Sequence, residues 1–498
     1  MKISYEIYKD KVRACWIGKN IGGTIGTPYE GKRELLDVKG FTTAPGEPLP
    51  NDDLDLQLVW LHALENEGAQ NIKAELLGEY WLDLITPYWA EYGIGKTNMQ
   101  RGLIPPTSGD VDNDWQNSNG AWIRTEIWAC VAPATPELAV KFAIEDAKVD
   151  HGTGEGTYAA AFVAALQSSA FALSSARECV EVAFAAIPEK SRVYKSVKAV
   201  IECFDSGKSW KEARNTVLEM NKDLGSGWFE APSNVAYTVI GLLYGMNNFK
   251  DSILIAVNCG DDTDCTAGTV GSTLGILYGT EIIPEDWKAY IGDKIITCSV
   301  STVSVGRTFP KSCDELSERV CRLAPGVLYS LEASSAVKRR KVGMTAFGEC
   351  ERNSDEIFEE LRERIAWVQN EYLNIKKNSV DFEKGVLRGS LSLETVYATP
   401  LSEIGIELDL ELRRHVQERQ YPFEFRWILP DGYSVNGVNN AIVKADETLM
   451  HRMHGTGKLG LKFTLSVGEC VQSFARCVLE ITAKGRHTAI YVPFVIFS

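Results

Sequence analysis

Two hydrophobic periodicities divide the chain. Up to roughly residue 330, apolar positions recur at three- and four-residue intervals; from Val380 onward they alternate. "LDLQLVWLHALENEG" places Leu54, Leu58, Leu61 and Leu64 on one face and predicts a helix that stops at Gly68. "GTYAAAFVAALQSSAFALSSA" is small or apolar nearly all round, the pattern of a helix buried at the centre of a bundle. "TAGTVGSTLGILYG" repeats that pattern, with Gly268, Gly271 and Gly275 spaced to let another helix approach closely. Gly-, Pro- and Asn-rich stretches at 40–53 and 93–120 are expected to be long loops with functional roles. "SDEIFEELRERIAWVQNEYLNIKK" predicts a charged connecting helix. After it come short alternating runs broken by Gly, Pro, Asn and Asp, among them "IGIELDLELR", "PFEFRWILPDGYSV" and "ARCVLEITA". The expected fold is mainly α: a helical bundle over 1–340, a connecting helix over 341–378 and a smaller β-sandwich over 379–498.

Composition adjusts this picture little. The 498 residues are 45% hydrophobic and 24% charged, as in soluble globular proteins, and long enough for more than one core. A net charge of −15 argues against nucleic acid as a partner, since phosphate binding needs clustered Lys and Arg. No run is long enough to span a bilayer, and the N-terminus "MKISYEIYKDKVRACW" lacks the apolar core of a signal peptide. Twelve cysteines without paired spacing and only 6 histidines argue against zinc and for free thiols in a reducing cytoplasm.

Charge placement changes the picture more. "LPNDDLDLQL" gathers Asn51, Asp52, Asp53 and Asp55 at the start of one helix, and "NCGDDTDCTAG" puts Asp261, Asp262 and Asp264 before another. Aspartates at helix starts serve as caps and suit the helix dipole. A double acid followed by a third also suits a hard divalent cation, and oxygen donors without His or Cys pairs favour Mg²⁺, Ca²⁺ or Mn²⁺. From these residues alone both readings stand.

Four segments, in order across residues 13–280, resemble the ADP-ribosylglycohydrolase family: "GKNIGGTIGTPYEG", "NDDLDLQL", "NSNGAWIR" and "GDDTDCTAG". "DAKVDHGTGEGTYAAA" is a weaker match. The resemblance implies an all-α catalytic domain with two Mg²⁺ (or Mn²⁺) ions. It implies Asn51, Asp52, Asp53, Asp262, Asp264 and Cys265 around the metals, with Glu30, Asp53 and Asp262 as catalytic groups. It also implies Asn119, Gly120, His151, Gly152 and Asp55 against the substrate. The expected function is metal-assisted hydrolysis of the glycosidic bond between ADP-ribose and a side chain or small molecule. The alternatives are hydrolysis of another N- or O-glycoside, such as a nucleoside or furanoside, and non-catalytic ligand binding on the same fold.

The sequence also departs from the family. Asn51 stands where Thr is usual, Gly23 where an acid is common, and Cys265 where the second metal usually takes a Thr oxygen. Asp55 and Gln57 replace small polar residues, which suggests a reshaped sugar pocket. Tyr88, Trp89, Tyr92 and Trp115 suit either stacking on a ligand or anchoring their loop. The sandwich is expected to serve structure or homo-oligomerisation.

Overall fold

The computed structural model describes residues 1–225, 228–301, 308–333, 345–349, 354–412, 420–444, 457–469 and 472–498. They form two compact units: Met1–Gly93 with Asn113–Asn374, and Ile94–Asp112 with Ile375–Ser498.

The first unit is helical. Six helices position its chemistry: α1 (Tyr5–Gly26), α2 (Asp52–Glu67), α3 (Pro136–Ala147), α4 (Glu155–Ala170), α5 (Ala231–Tyr244) and α6 (Thr263–Tyr278). Helix α2 ends as its sequence predicts, because Gly68 adopts φ 77°, a left-handed conformation open to glycine, and its N–H bonds Leu64 O. Helix α4 is buried over most of its length, so its Ala-rich circumference packs on every side. Helices α1 and α6 run against each other with backbones in contact. A Cβ added at Gly271 would collide with the carbonyl of Gly18, one at Gly275 with that of Ala14, and one at Gly22 with that of Ala267. Glycine at these positions brings the tail of α1 against the head of α6, where acidic residues gather.

The described residues of the second unit form nine strands: β1 (Ser379–Lys384), β2 (Leu387–Leu393), β3 (Glu403–Leu412), β4 (Gln420–Ile428), β5 (Tyr433–Asn436), β6 (Asn440–Lys444), β7 (Lys458–Val467), β8 (Phe474–Ala483) and β9 (Ala489–Phe497). They form two antiparallel sheets, ordered β9-β8-β4-β6 and β1-β2-β3-β7-β5. Alternate residues of each strand, such as Ile404, Ile406, Leu408 and Leu410 on β3 and Ala475, Cys477, Leu479 and Ile481 on β8, fill one shared core.

The sequence-based division needs two changes. The stretch 93–120 is not a single loop: residues Ala90–Gln100 are helical, and Ile94–Asp112 group with the strands because Leu103 and Val111 join their core. The connector is two helices, Ser354–Ile365 and Val368–Tyr372, which belong to the helical unit; residues 341–344 and 350–353 lie outside the described part. No disulfide links the described cysteines, and all of them except Cys298 are buried. No helix among the described residues is long and apolar enough to cross a membrane.

Candidate metal centre

The two acidic clusters meet where α1, α2 and α6 converge. Asp53, Asp264 and Cys265 each offer an atom within 4.8 Å of the others, and so do Glu30, Asp262 and Asp264. Asp264 belongs to both groups. The aspartates are buried, while Glu30, just after α1, is exposed at the rim.

These acids are not helix caps. At α2 the cap is Asn51, whose side-chain oxygen accepts the Asp53 N–H at 2.7 Å. At α6 Asp262 occupies the capping position but makes no capping bond. Its Oδ2 accepts from Asn119 Nδ2 at 2.6 Å, and its Oδ1, like Oδ1 of Asp264, has no hydrogen-bond donor. A buried carboxylate oxygen without a donor is costly, and a cation removes that cost.

Proton affinities follow the crowding. Burial, then Asp264 and Glu30, push Asp262 well above the usual carboxylate range. Burial, then Glu30, raise Asp264 to about 7. Asp53 rises to about 8, first through burial, with Lys19 opposing and Asp264 and Asp52 adding to the shift. Glu30, exposed by surface area but ringed by protein, rises to about 7 through partial loss of hydration and then through Asp52 and Asp53. Carboxyls that share a site in this way bind protons or a metal. Oxygen donors at this density fit a hard divalent cation; the thiol of Cys265 does not.

The local chain explains the placement. Asp261 stands at φ 70° and exchanges backbone hydrogen bonds with Gly31 and Lys32, so the segment bearing Glu30 lies beside the one bearing Asp262. Its carboxylate accepts from Phe229 N and Asn234 Nδ2, both at 3.2 Å, which makes the first acid of the pair a turn-holder. Asp52 accepts from the Tyr92 hydroxyl at 3.0 Å. Tyr92 is buried, whereas Tyr88 and Trp89 are exposed and Trp115 is half-buried.

Several expected roles change. Asp55 is buried, and its Oδ2 is anchored by the N–H groups of Cys298 and Ser299 at 2.6 and 2.7 Å. Gln57 lies beneath the cluster, donating to Glu126 at 2.8 Å and accepting from Ile127 N. His151 is fully buried, with Nδ1 against Asp150 at 2.9 Å and Nε2 against Ser118 at 3.3 Å, so both ring nitrogens face protein groups. Gly152 makes the left-handed turn before α4 at φ 51°. Gly120 is glycine because a Cβ there would strike the Glu91 carboxylate. Asn51 uses its oxygen as the cap and turns its amide nitrogen toward Asp264 at 3.4 Å.

Two residues absent from the sequence-based set stand out. Lys19 of α1 is buried with Nζ 3.0 Å from Asp53 Oδ2 and 3.2 Å from Glu126 Oε1. Burial alone would lower its pKa, but those two carboxylates hold it above the ordinary lysine value. Glu126 is buried too, and also accepts from Gln167 and Ser272. A lone lysine inside the small-residue run "IGKNIGG" was the available signal. The departures at 23 and 51 are paired, since a Cβ on Gly23 would collide with the side-chain nitrogen of Asn51.

The ADP-ribosylglycohydrolase family model matches residues 4–321, most of the chain. The chain belongs to this family. Over 45 residues it is 47% identical to the ADP-ribosylarginine hydrolase Tri1 of Serratia proteamaculans (strain 568), and 44% identical to Tri1 of Pseudomonas putida (strain GB-1). Each match spans 9% of this chain and 12% of the relative. A solved ADP-ribosylglycohydrolase-related protein complex is 19% identical, covering 65% of this chain and 99% of that one, with a TM-score of 0.43. ADP-ribosylglycohydrolase membership and a buried acidic cluster able to hold metal therefore coincide in the helical unit.

Proposed function

We propose that the protein is a metal-dependent glycoside hydrolase that removes ADP-ribose from a side chain or small molecule. The observation that carries this reading is the pair of buried, donorless oxygens, Asp262 Oδ1 and Asp264 Oδ1, beside the rim carboxyl of Glu30. Glu30, Asp262 and Asp264 would hold Mg²⁺ or Mn²⁺, which, when bound, orients sugar hydroxyls and polarises the bond to be cleaved. Asn119 fixes Asp262 by its 2.6 Å bond, and Tyr92 fixes Asp52. Glu30 is solvent-accessible at the rim, so a carboxylate oxygen not engaged by the ion would be placed to take a proton from attacking water. Cleavage of a glycosidic bond passes through an oxocarbenium-like state, which nearby carboxylates stabilise. The arginine-linked substrate of the two Tri1 proteins is the first to test.

The test is release of ADP-ribose from ADP-ribosylated arginine, with Mg²⁺ and with chelator, beside a panel of nucleosides and simple glycosides. Mg²⁺-dependent release supports the reading. Turnover of a nucleoside or furanoside alone assigns the site to another glycoside, and no turnover of any substrate overturns it.

A further inference from the structure

The two halves of the acidic pocket are not equivalent. On one side, Asp53 Oδ1 accepts from the Cys265 thiol at 3.2 Å, and Oδ2, which has no hydrogen-bond donor, faces the Lys19 ammonium at 3.0 Å. On the other, Asp262 Oδ1 and Asp264 Oδ1 have no donor, although both residues are more than nine-tenths buried. Together with Glu30, those two aspartates bring an oxygen each within 4.8 Å of one another.

We propose that Lys19 and Cys265 close the Asp53 side of the pocket, leaving a single divalent-cation position formed by Glu30, Asp262 and Asp264. The inference rests on the metal-dependent reading above and departs from the two-ion centre that the family resemblance implies.

The ammonium of Lys19 is fixed in place. It donates to Ile123 O at 2.8 Å and lies within ion-pair distance of Glu126 Oε1 at 3.2 Å and of Asp53 Oδ2 at 3.0 Å. The side chain has no route outward, because it is 1% exposed and a Cβ on Gly268 of α6 would already press on its Cδ. A fixed positive charge at Asp53 repels a divalent ion there and supplies part of the compensation that the ion would have given. The thiol adds a second obstacle, being a soft and protonated group where a hard cation needs an oxygen. Among the described residues no ammonium or guanidinium pairs with Asp262 or Asp264, whose Oδ2 atoms accept from the neutral amides of Asn119 and Asn51.

The deciding experiment counts metal ions on the full-length chain. Protein stripped with chelator is titrated with Mn²⁺, and bound metal is read by elemental analysis and by electron paramagnetic resonance. The expected result is one Mn²⁺ per chain, with the six-line spectrum of an isolated ion. Asp264→Asn should weaken that binding at least tenfold. Cys265→Thr alone should still bind one ion, because Lys19 remains; Lys19→Met with Cys265→Thr should admit a second. If the double variant does not fold, the count on the native chain and on Cys265→Thr still decides. Two ions per chain with an exchange-coupled spectrum would overturn the inference while leaving a metal-dependent hydrolase intact. No bound ion would overturn both.

Discussion

Asn119 Nδ2 donates a 2.6 Å hydrogen bond to Asp262 Oδ2 across 143 positions of sequence. Asn119 is held in turn by the Trp122 indole N–H, which donates to its Oδ1 at 2.9 Å. The bond leaves only one Asp262 oxygen free to meet a cation, and it fixes which one. Removing such a support typically weakens metal binding by about 10–100-fold. Asn119→Ala should therefore raise the Mn²⁺ dissociation constant by about tenfold or more with little change in far-UV circular dichroism. Unchanged affinity would mean that Asp262 is oriented by the helix alone.

Metal should stabilise the helical unit, since it binds the folded pocket and has no equivalent site in the unfolded chain. At a hundred times the dissociation constant the gain is about 2.7 kcal/mol. Chelator should lower the melting temperature of protein loaded with Mg²⁺ by a few degrees, and Asp264→Asn should abolish that response. A melt indifferent to chelator would point to a pocket neutralised by protons.

The contact between α1 and α6 predicts sensitivity far from the chemistry. Gly271→Ala should destabilise by about 3 kcal/mol, because the new methyl meets a backbone carbonyl that cannot move aside. Gly326 lies in the helix Cys313–Ala333, where an added Cβ meets nothing within 4 Å. Gly326→Ala should be neutral or stabilising by up to about 1 kcal/mol through helix propensity alone. Urea denaturation of the two variants against the native chain tests the contrast.

Arg124 sits between two buried acids with opposite behaviour. Burial raises Asp146 to about 6, despite Arg124. Burial works in the same sense on Asp150, but Arg124 and His151 outweigh it and bring Asp150 down to about 2. A folded value below the unfolded value of about 3.9 adds stability above that pH, lost as pH falls toward 2. Asp150→Asn should cost about 2 kcal/mol at neutral pH. The gap between variant and native melts should narrow between pH 4 and pH 2; a constant gap would assign the loss to packing.

Much of this was legible because one physical rule governs each segment. The α2 stop at Gly68 follows from the left-handed conformation, and the β3 alternation follows from a strand with one buried face. Strand β6 escaped because mostly exposed residues give no alternation to read. The gathering of Asp53, Asp262 and Asp264 was implied by the resemblance of their segments to the ADP-ribosylglycohydrolase family, whereas the clustered charge alone left capping open. Lys19 was marked only by being a lone lysine in the small-residue run "IGKNIGG"; its partner Glu126 was not marked at all, because their pairing is made by long-range approach and no local pattern encodes it. The anchoring of Asp55 was hidden for the same reason: its Oδ2 partners are backbone N–H groups of residues 298 and 299, which carry no side-chain signature.

The short antiparallel tie between Lys32 and Asp261 has a consequence for assembly. It joins chain segments separated by more than half of the helical unit, and the cation-binding oxygens lie on both sides of it. Closing so long a loop is slow compared with forming local helices. The pocket therefore depends on this long-range contact, and a partly folded chain with α1 or α6 alone would present only one side of it to a cation. Binding of a cation by all of these oxygens would then report that the two distant segments have met.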